Sequence, residues 1–133
     1  MLKTIKKWWI RVSKKIDYIN HFIPELEVEG DENAELLVVG WGATHGHLMT
    51  AVNAVNKTGK KVALAHFNYI NPLPINTEEV IKRYKKVVVC ELNSGQFATY
   101  LRSKVPGEYL QYNKVQGQPF TVNELEEHFT SLL

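Results

Sequence analysis

The chain has 133 residues, is 44% apolar and carries a formal net charge of +2. That is one ordinary domain with enough apolar content for a core, and too little charge for a polyelectrolyte role. Its single cysteine, Cys90, excludes an internal disulfide, a four-cysteine iron–sulfur site and a cysteine-rich zinc site.

No apolar run approaches the roughly 20 residues that span a bilayer. The N-terminus is basic but has no long apolar stretch or small-residue cleavage site, so it does not read as a secretory signal. The expectation is a cytoplasmic protein with no membrane partner. Two parts are expected: residues 1–24, a basic amphipathic helix and linker, and residues 25–133, an α/β domain.

In residues 1–20 six basic side chains oppose only Asp17, a local charge of +5. Ile5, Trp8, Val12, Ile16 and Ile19 share one helical face, and the basic residues cover the other. Such a helix suits a membrane surface or nucleic acid, but it equally packs on its own or an adjoining domain with its lysines in water. No second nucleic-acid signal accompanies it, so packing is the expectation and no nucleic-acid partner is expected. Trp8 and Trp9 sit about 100° apart on the helix, which leaves one indole for a partner surface.

Pro24 ends that region. Leu26–Glu29 alternates as a short edge strand does, and Gly30-Asp31-Glu32-Asn33 reads as a turn. Leu36–Val39 is a continuous apolar run, as in a strand buried on both faces. It runs into Gly40-Trp41-Gly42-Ala43-Thr44-His45-Gly46. A helix follows with Leu48, Val52 and Val55 at helical spacing, and Gly59 closes it. Val62–Phe67 is the second buried strand, so the three pieces make a βαβ unit. Pro72 and Pro74 enforce an extended connection. Thr77 reads as the N-cap of a short helix to Tyr84, with Glu78 and Glu79 in its first turn. Val87–Leu92 is the third buried strand. Asn93-Ser94-Gly95-Gln96 then opens a helix marked by Phe97, Leu101 and Val105. Tyr109–Tyr112 reads as a final strand, and Thr121 with Glu124 has capping-box spacing for a last helix.

If the second and third strands flank the first on opposite sides, the strand order reverses there. Ligands in open α/β sheets favour that crevice, outside the carboxyl ends of the strands. The loops flanking it supply the candidate binding or interface residues Gly40, Trp41, Gly42, Thr44 and Gly46, and Asn93, Ser94, Gly95 and Gln96. Each loop ends at a helix N-terminus, which suits an anion. The glycine spacing is not the dinucleotide fingerprint and the chain has no P-loop lysine, so the same glycines equally serve tight turns and close packing. Gly42 and Gly46 are expected to need positive φ or close helix approach. His45 and His47, two apart, point in different directions, and no metal site is expected. Cys90 inside a strand reads as a small buried hydrophobe, and no catalytic residue is assigned.

GWGATHG, the NPLP segment, ELNSGQ and Gly117-Gln118-Pro119-Phe120 occur in this order. Together they resemble the C-terminal domain of the alpha subunit of 2-oxoacid:ferredoxin oxidoreductases, most like the 2-oxoglutarate type. Arg11-Val12-Ser13-Lys14-Lys15-Ile16 resembles the helix preceding that domain. The family loop reads GWGSTYG, so Ala43 and His45 depart at the serine and the tyrosine.

The resemblance implies a transketolase C-terminal-like fold, a three-layer α/β/α sandwich around a mostly parallel, mixed sheet of about five strands. It implies a scaffold and assembly role in an enzyme that decarboxylates a 2-oxoacid with thiamine diphosphate and Mg, forms an acyl-CoA and reduces ferredoxin through iron–sulfur clusters. The implied partners are the upstream alpha-subunit domains and the beta subunit, with ferredoxin and CoA serving the full enzyme. No cofactor is expected in this chain, which would be the end of a larger alpha subunit with Met1 as the start of a fragment. Trp8 and Trp9 are the expected assembly surface. The alternative is an independent module that binds a small anion at the switch-point loops.

Overall fold

Leu36, Leu37, Val38 and Val39 are all fully buried, which requires packed layers on both sides of the strand that holds them. A computed structural model provides those layers and describes residues 22–115 and 118–133. The expected N-terminal helix with Trp8, Trp9 and Arg11–Ile16 lies outside the described residues, as does Gly117 of the late motif.

Five strands form one sheet: β1 (Val28–Gly30), β2 (Leu36–Trp41), β3 (Val62–Phe67), β4 (Lys86–Glu91) and β5 (Leu110–Asn113). Their spatial order is β1-β3-β2-β4-β5. β3, β2, β4 and β5 run parallel, and β1 is antiparallel to β3 at the edge. The helices are α1 (His45–Lys57), α2 (Thr77–Lys82), α3 (Gln96–Lys104) and α4 (Val122–Leu132).

Alternation along the strands divides the core in two. Leu36, Val38, Val62, Leu64, Val88 and Cys90 face α1 and α4, meeting Leu48, Val52, Val55, Leu125 and Phe129. Leu37, Val39, Ala63, Ala65, Val87 and Val89 face α2 and α3, meeting Val80, Ile81, Phe97 and Leu101. The result is the expected α/β/α sandwich with a mixed five-stranded sheet. Burying each of these Val and Leu side chains contributes about 1.5–3 kcal/mol as an upper value.

Local chemistry sets the element ends. Gly59 has φ +92 after α1. The Thr121 hydroxyl accepts from the Glu124 N–H while the Glu124 carboxylate accepts from the Thr121 N–H, the expected capping box in both halves.

Two expectations are corrected. Thr77 is the first residue of α2 rather than its cap, because its hydroxyl donates to the Pro74 carbonyl at 2.6 Å. The N-cap position falls to Asn76, whose amide instead pairs with both backbone groups of Leu26. Gly46 lies within α1 with ordinary φ and open space where a Cβ would sit, so it is not required for backbone shape. The Asn71–Pro72 bond in the connection before α2 is cis.

Candidate functional site

β3 and β4 flank β2 on opposite sides, so the order reverses at β2 and the two expected loops lie together at the carboxyl ends of β2 and β4. What fills that crevice is a carboxylate from the chain itself. Glu91, the last residue of β4, is 1% exposed. Its Oε1 accepts the Phe97 N–H at 2.6 Å and the Trp41 indole N–H at 3.3 Å, and its Oε2 accepts the Ala98 N–H at 3.0 Å. Buried charge is costly unless it is hydrogen-bonded, and here three donors and the positive end of α3 compensate it.

Asn93 completes the arrangement. Its Oδ1 accepts from the N–H groups of Gly95 at 2.9 Å and Gln96 at 3.2 Å. The N–H groups of Gly95, Gln96, Phe97 and Ala98 at the start of α3 are therefore all taken by Glu91 and Asn93. Gly95 has φ +93, and an added Cβ would run into Gln111 Oε1. Ser94 and Gln96 are exposed.

Across the crevice, the Thr44 hydroxyl is buried and donates to the Trp41 carbonyl at 3.0 Å. Gly40 packs beneath α1, where a Cβ would run into Leu48 Cδ1. Gly42 has φ +71 and faces open space. Trp41 is half-buried against Phe97, with ring centroids 5.9 Å apart, and Phe97 meets Phe67 at 5.2 Å. The structure thus brings Gly40, Trp41, Gly42, Thr44 and Asn93–Gln96 to the switch point, with Gly46 in the first turn of α1, and the polar groups there bond to Glu91, to Asn93 and to the Trp41 carbonyl.

Glu91 was not among the sequence-derived candidates. Its signal is parity: it follows Val87 and Val89 on the face that α3 covers, six residues before Phe97. Such a carboxylate must either be paired or cap the following helix.

The histidines behave differently. His45 Nε2 donates to Glu29 Oε2 at 3.1 Å, joining the start of α1 to β1. The His66 ring lies edge-on to it, with centroids 4.8 Å apart. Burial first, then the charge of His45, lowers the His66 pKa, while Glu29 opposes them. His47 is exposed and makes no part of this cluster. Among the described residues no three His, Cys, Asp or Glu side chains are grouped as metal ligands. Cys90 is fully buried, and burial first, then the neighbouring Glu91, pushes its thiol pKa far up. A neutral thiol of this kind is unreactive.

This α/β/α sandwich around a mixed five-stranded sheet has the transketolase C-terminal-like fold. A split-gene transketolase solved as an inactive β4 tetramer shares the fold, with TM-score 0.58 over 79% of this chain and 40% of that one, at 12% identity. Residues 34–125 match the family model for the core domain II of pyruvate:ferredoxin oxidoreductase, and the chain belongs to that family.

Two of its relatives are named for 2-oxoglutarate. The chain is 44% identical over 112 residues to the 2-oxoglutarate oxidoreductase subunit KorA of Mycobacterium tuberculosis, covering 84% of this chain and 17% of that subunit. The 2-oxoglutarate:ferredoxin oxidoreductase of Magnetococcus marinus, solved with 2-oxoglutarate, coenzyme A and succinyl-CoA bound, aligns with TM-score 0.80 and 25% identity, over 86% of this chain and 21% of that one. The resemblance carried by GWGATHG, NPLP and ELNSGQ is therefore to the right family. The chain spans about a fifth or less of these two relatives.

Proposed function

We propose that this chain is the scaffold and assembly domain of the alpha subunit of a 2-oxoacid:ferredoxin oxidoreductase, of the 2-oxoglutarate type. In this reading the complete enzyme works in the cytoplasm, converts a 2-oxoacid to an acyl-CoA and passes electrons to ferredoxin. Thiamine diphosphate with Mg supplies the electron sink for decarboxylation, and iron–sulfur clusters carry the electrons. Those groups belong to other domains and subunits.

The residues here do not fit either group. Cys90 is sealed inside β4 and cannot ligate a cluster. A thiamine-diphosphate metal loop opens on Gly-Asp-Gly, whereas Gly30-Asp31 is followed by Glu32 and makes a local turn in which Asp31 Oδ1 accepts the Asn33 N–H at 2.9 Å. The observation that carries the scaffold reading is Glu91. By filling the helix terminus where an anion would bind, it makes the switch point a rigid structural junction. The same observation weighs against the alternative of an independent anion-binding module.

Residues 1–24 are proposed to lead into the domain and to offer Trp8 and Trp9 as an assembly surface. Gly42 and Ser94, exposed at the switch point, are proposed as contacts with the adjoining domains. Calorimetric titration of the chain into the remaining alpha-subunit domains with the beta subunit tests the assembly role. Saturable binding that weakens at least tenfold when both tryptophans are replaced by serine supports the reading. Failure to bind contradicts it.

A further inference from the structure

Leu26 is pinned at the start of α2. Its N–H donates to Asn76 Oδ1 at 2.7 Å, and its carbonyl accepts from Asn76 Nδ2 at 2.9 Å. Residues 1–21 lie outside the described residues and join the domain at residue 22, four positions before that anchor. Ile75, next to Asn76, is 65% exposed. It lies in a groove of about 280 Å³ between the NPLP segment and α3. Pro72, Leu73, Tyr100 and Val105 line the same groove. Its apolar walls therefore open beside the point where the chain enters the domain.

An open apolar groove calls for an apolar cover. The sequence carries one on the same chain: Ile5, Trp8, Val12, Ile16 and Ile19, which share one helical face. As a helix, residues 5–19 span about 21 Å at 1.5 Å per residue. Such a helix gains most of its stability by burying that face. A short tether holds the segment near the groove at an effective concentration on the order of millimolar. A separate chain would have to supply the translational and rotational entropy that this tether saves.

We propose that the groove between the NPLP segment and α3 docks residues 1–21 of the same chain through their apolar face. Ile16 and Ile19, nearest the join, meet Ile75 and Leu73. With Trp8 turned inward, Trp9 stays available for the assembly surface proposed above. The proposal goes beyond the assembly reading, because it concerns a contact within one chain that needs no partner.

The test is paramagnetic broadening in the full 133-residue chain. Ser13→Cys provides a thiol for a nitroxide label, and Cys90 is fully buried, so the label goes to the introduced thiol alone. The expected result is that amides of residues 71–78 and 100–105 lose at least about half their intensity, while those of α1 and α4 keep theirs. Ile75→Asp, and separately Val12→Asp with Ile16→Asp, should restore the lost intensity. Ile75 is largely exposed, so its replacement should leave the spectrum of β2, β3 and β4 unchanged.

Broadening that centres on another surface, that is absent, or that survives both sets of substitutions would overturn the proposal. Mixing spin-labelled chain with isotope-labelled chain that carries no spin label identifies a second copy as the occupant. Broadening of residues 71–78 in that mixture would overturn the proposal as well. Assembly is measured separately, by titration with the other subunit parts. A chain that assembles but shows no broadening in the groove loses only this inference.

Discussion

Trp41 and Glu91 end two adjacent parallel strands, and the indole N–H of one donates to the carboxylate of the other at 3.3 Å. The same carboxylate holds the first turn of α3 through Phe97 and Ala98. One buried side chain therefore ties β2, β4 and α3 at the point where the sheet reverses its order. Replacing Glu91 by alanine strands three N–H groups, each worth about 1.5–3 kcal/mol when bonded to a charged acceptor. A loss of at least about 3 kcal/mol and a melting temperature about 10 °C lower or more are expected. Glu91→Gln, which keeps the shape and one carbonyl, should fall between. A Glu91→Ala chain melting with the parent would show that the junction contributes nothing.

Gly95 adopts φ +93 at the N-terminus of α3, and the space a Cβ would take is filled by Gln111. Gly95→Ala combines left-handed strain with a collision, and a cost of about 1–3 kcal/mol is expected from urea denaturation. Gly46→Ala is the internal contrast. With no positive φ and open space around it, it should be neutral or slightly stabilising, by up to about 1 kcal/mol from helix propensity. Equal effects at the two glycines would contradict the geometry.

Val38 is fully buried at the centre of β2, facing α1 and α4. Val38→Asp places an unpaired carboxylate in that layer, and a loss of several kcal/mol is expected, enough to unfold a domain of this size. Circular dichroism checks this directly. A folded variant melting within a few degrees of the parent would show that β2 is not central.

Burial lowers the pKa of both His66 and His128, with the charge of His45 adding to it at His66. His128 stacks on Tyr112 with centroids 4.0 Å apart. A histidine whose folded pKa lies below its unfolded value, about 6.5, binds protons more readily when unfolded. Its contribution is complete above pH 6.5 and is lost as pH falls toward the folded pKa. The urea midpoint should therefore drop between pH 7.5 and pH 5.5, and His128→Phe should flatten that slope. A midpoint that rises on acidification across this window would reverse the sign of the argument.

The layers were legible because single-residue patterns report them. Four apolar residues in a row at Leu36–Val39 require cover on both faces, and Thr121 with Glu124 is a short-range cap that needs no tertiary information. Thr77 misled because Pro74 offered its hydroxyl a better acceptor and Asn76 was drawn away to Leu26. The strand order placed the two loops that carry the candidate residues side by side. Their chemistry was not readable there, since whether a helix N-terminus is free depends on a carboxylate arriving from the strand before it. The Glu29–His45 pair joins elements 16 residues apart and has no local pattern at all.

In the proposed role the domain folds on its own and supports chemistry performed elsewhere. The direct measurement is 2-oxoglutarate-dependent reduction of a viologen dye, with thiamine diphosphate, Mg²⁺ and CoA supplied. The purified chain alone should give no turnover, and activity should appear when the remaining alpha-subunit domains and the beta subunit are added. It should fall again when Glu91→Ala replaces the parent chain in that mixture. Turnover by the isolated chain, or full activity of the other parts without it, would contradict the account.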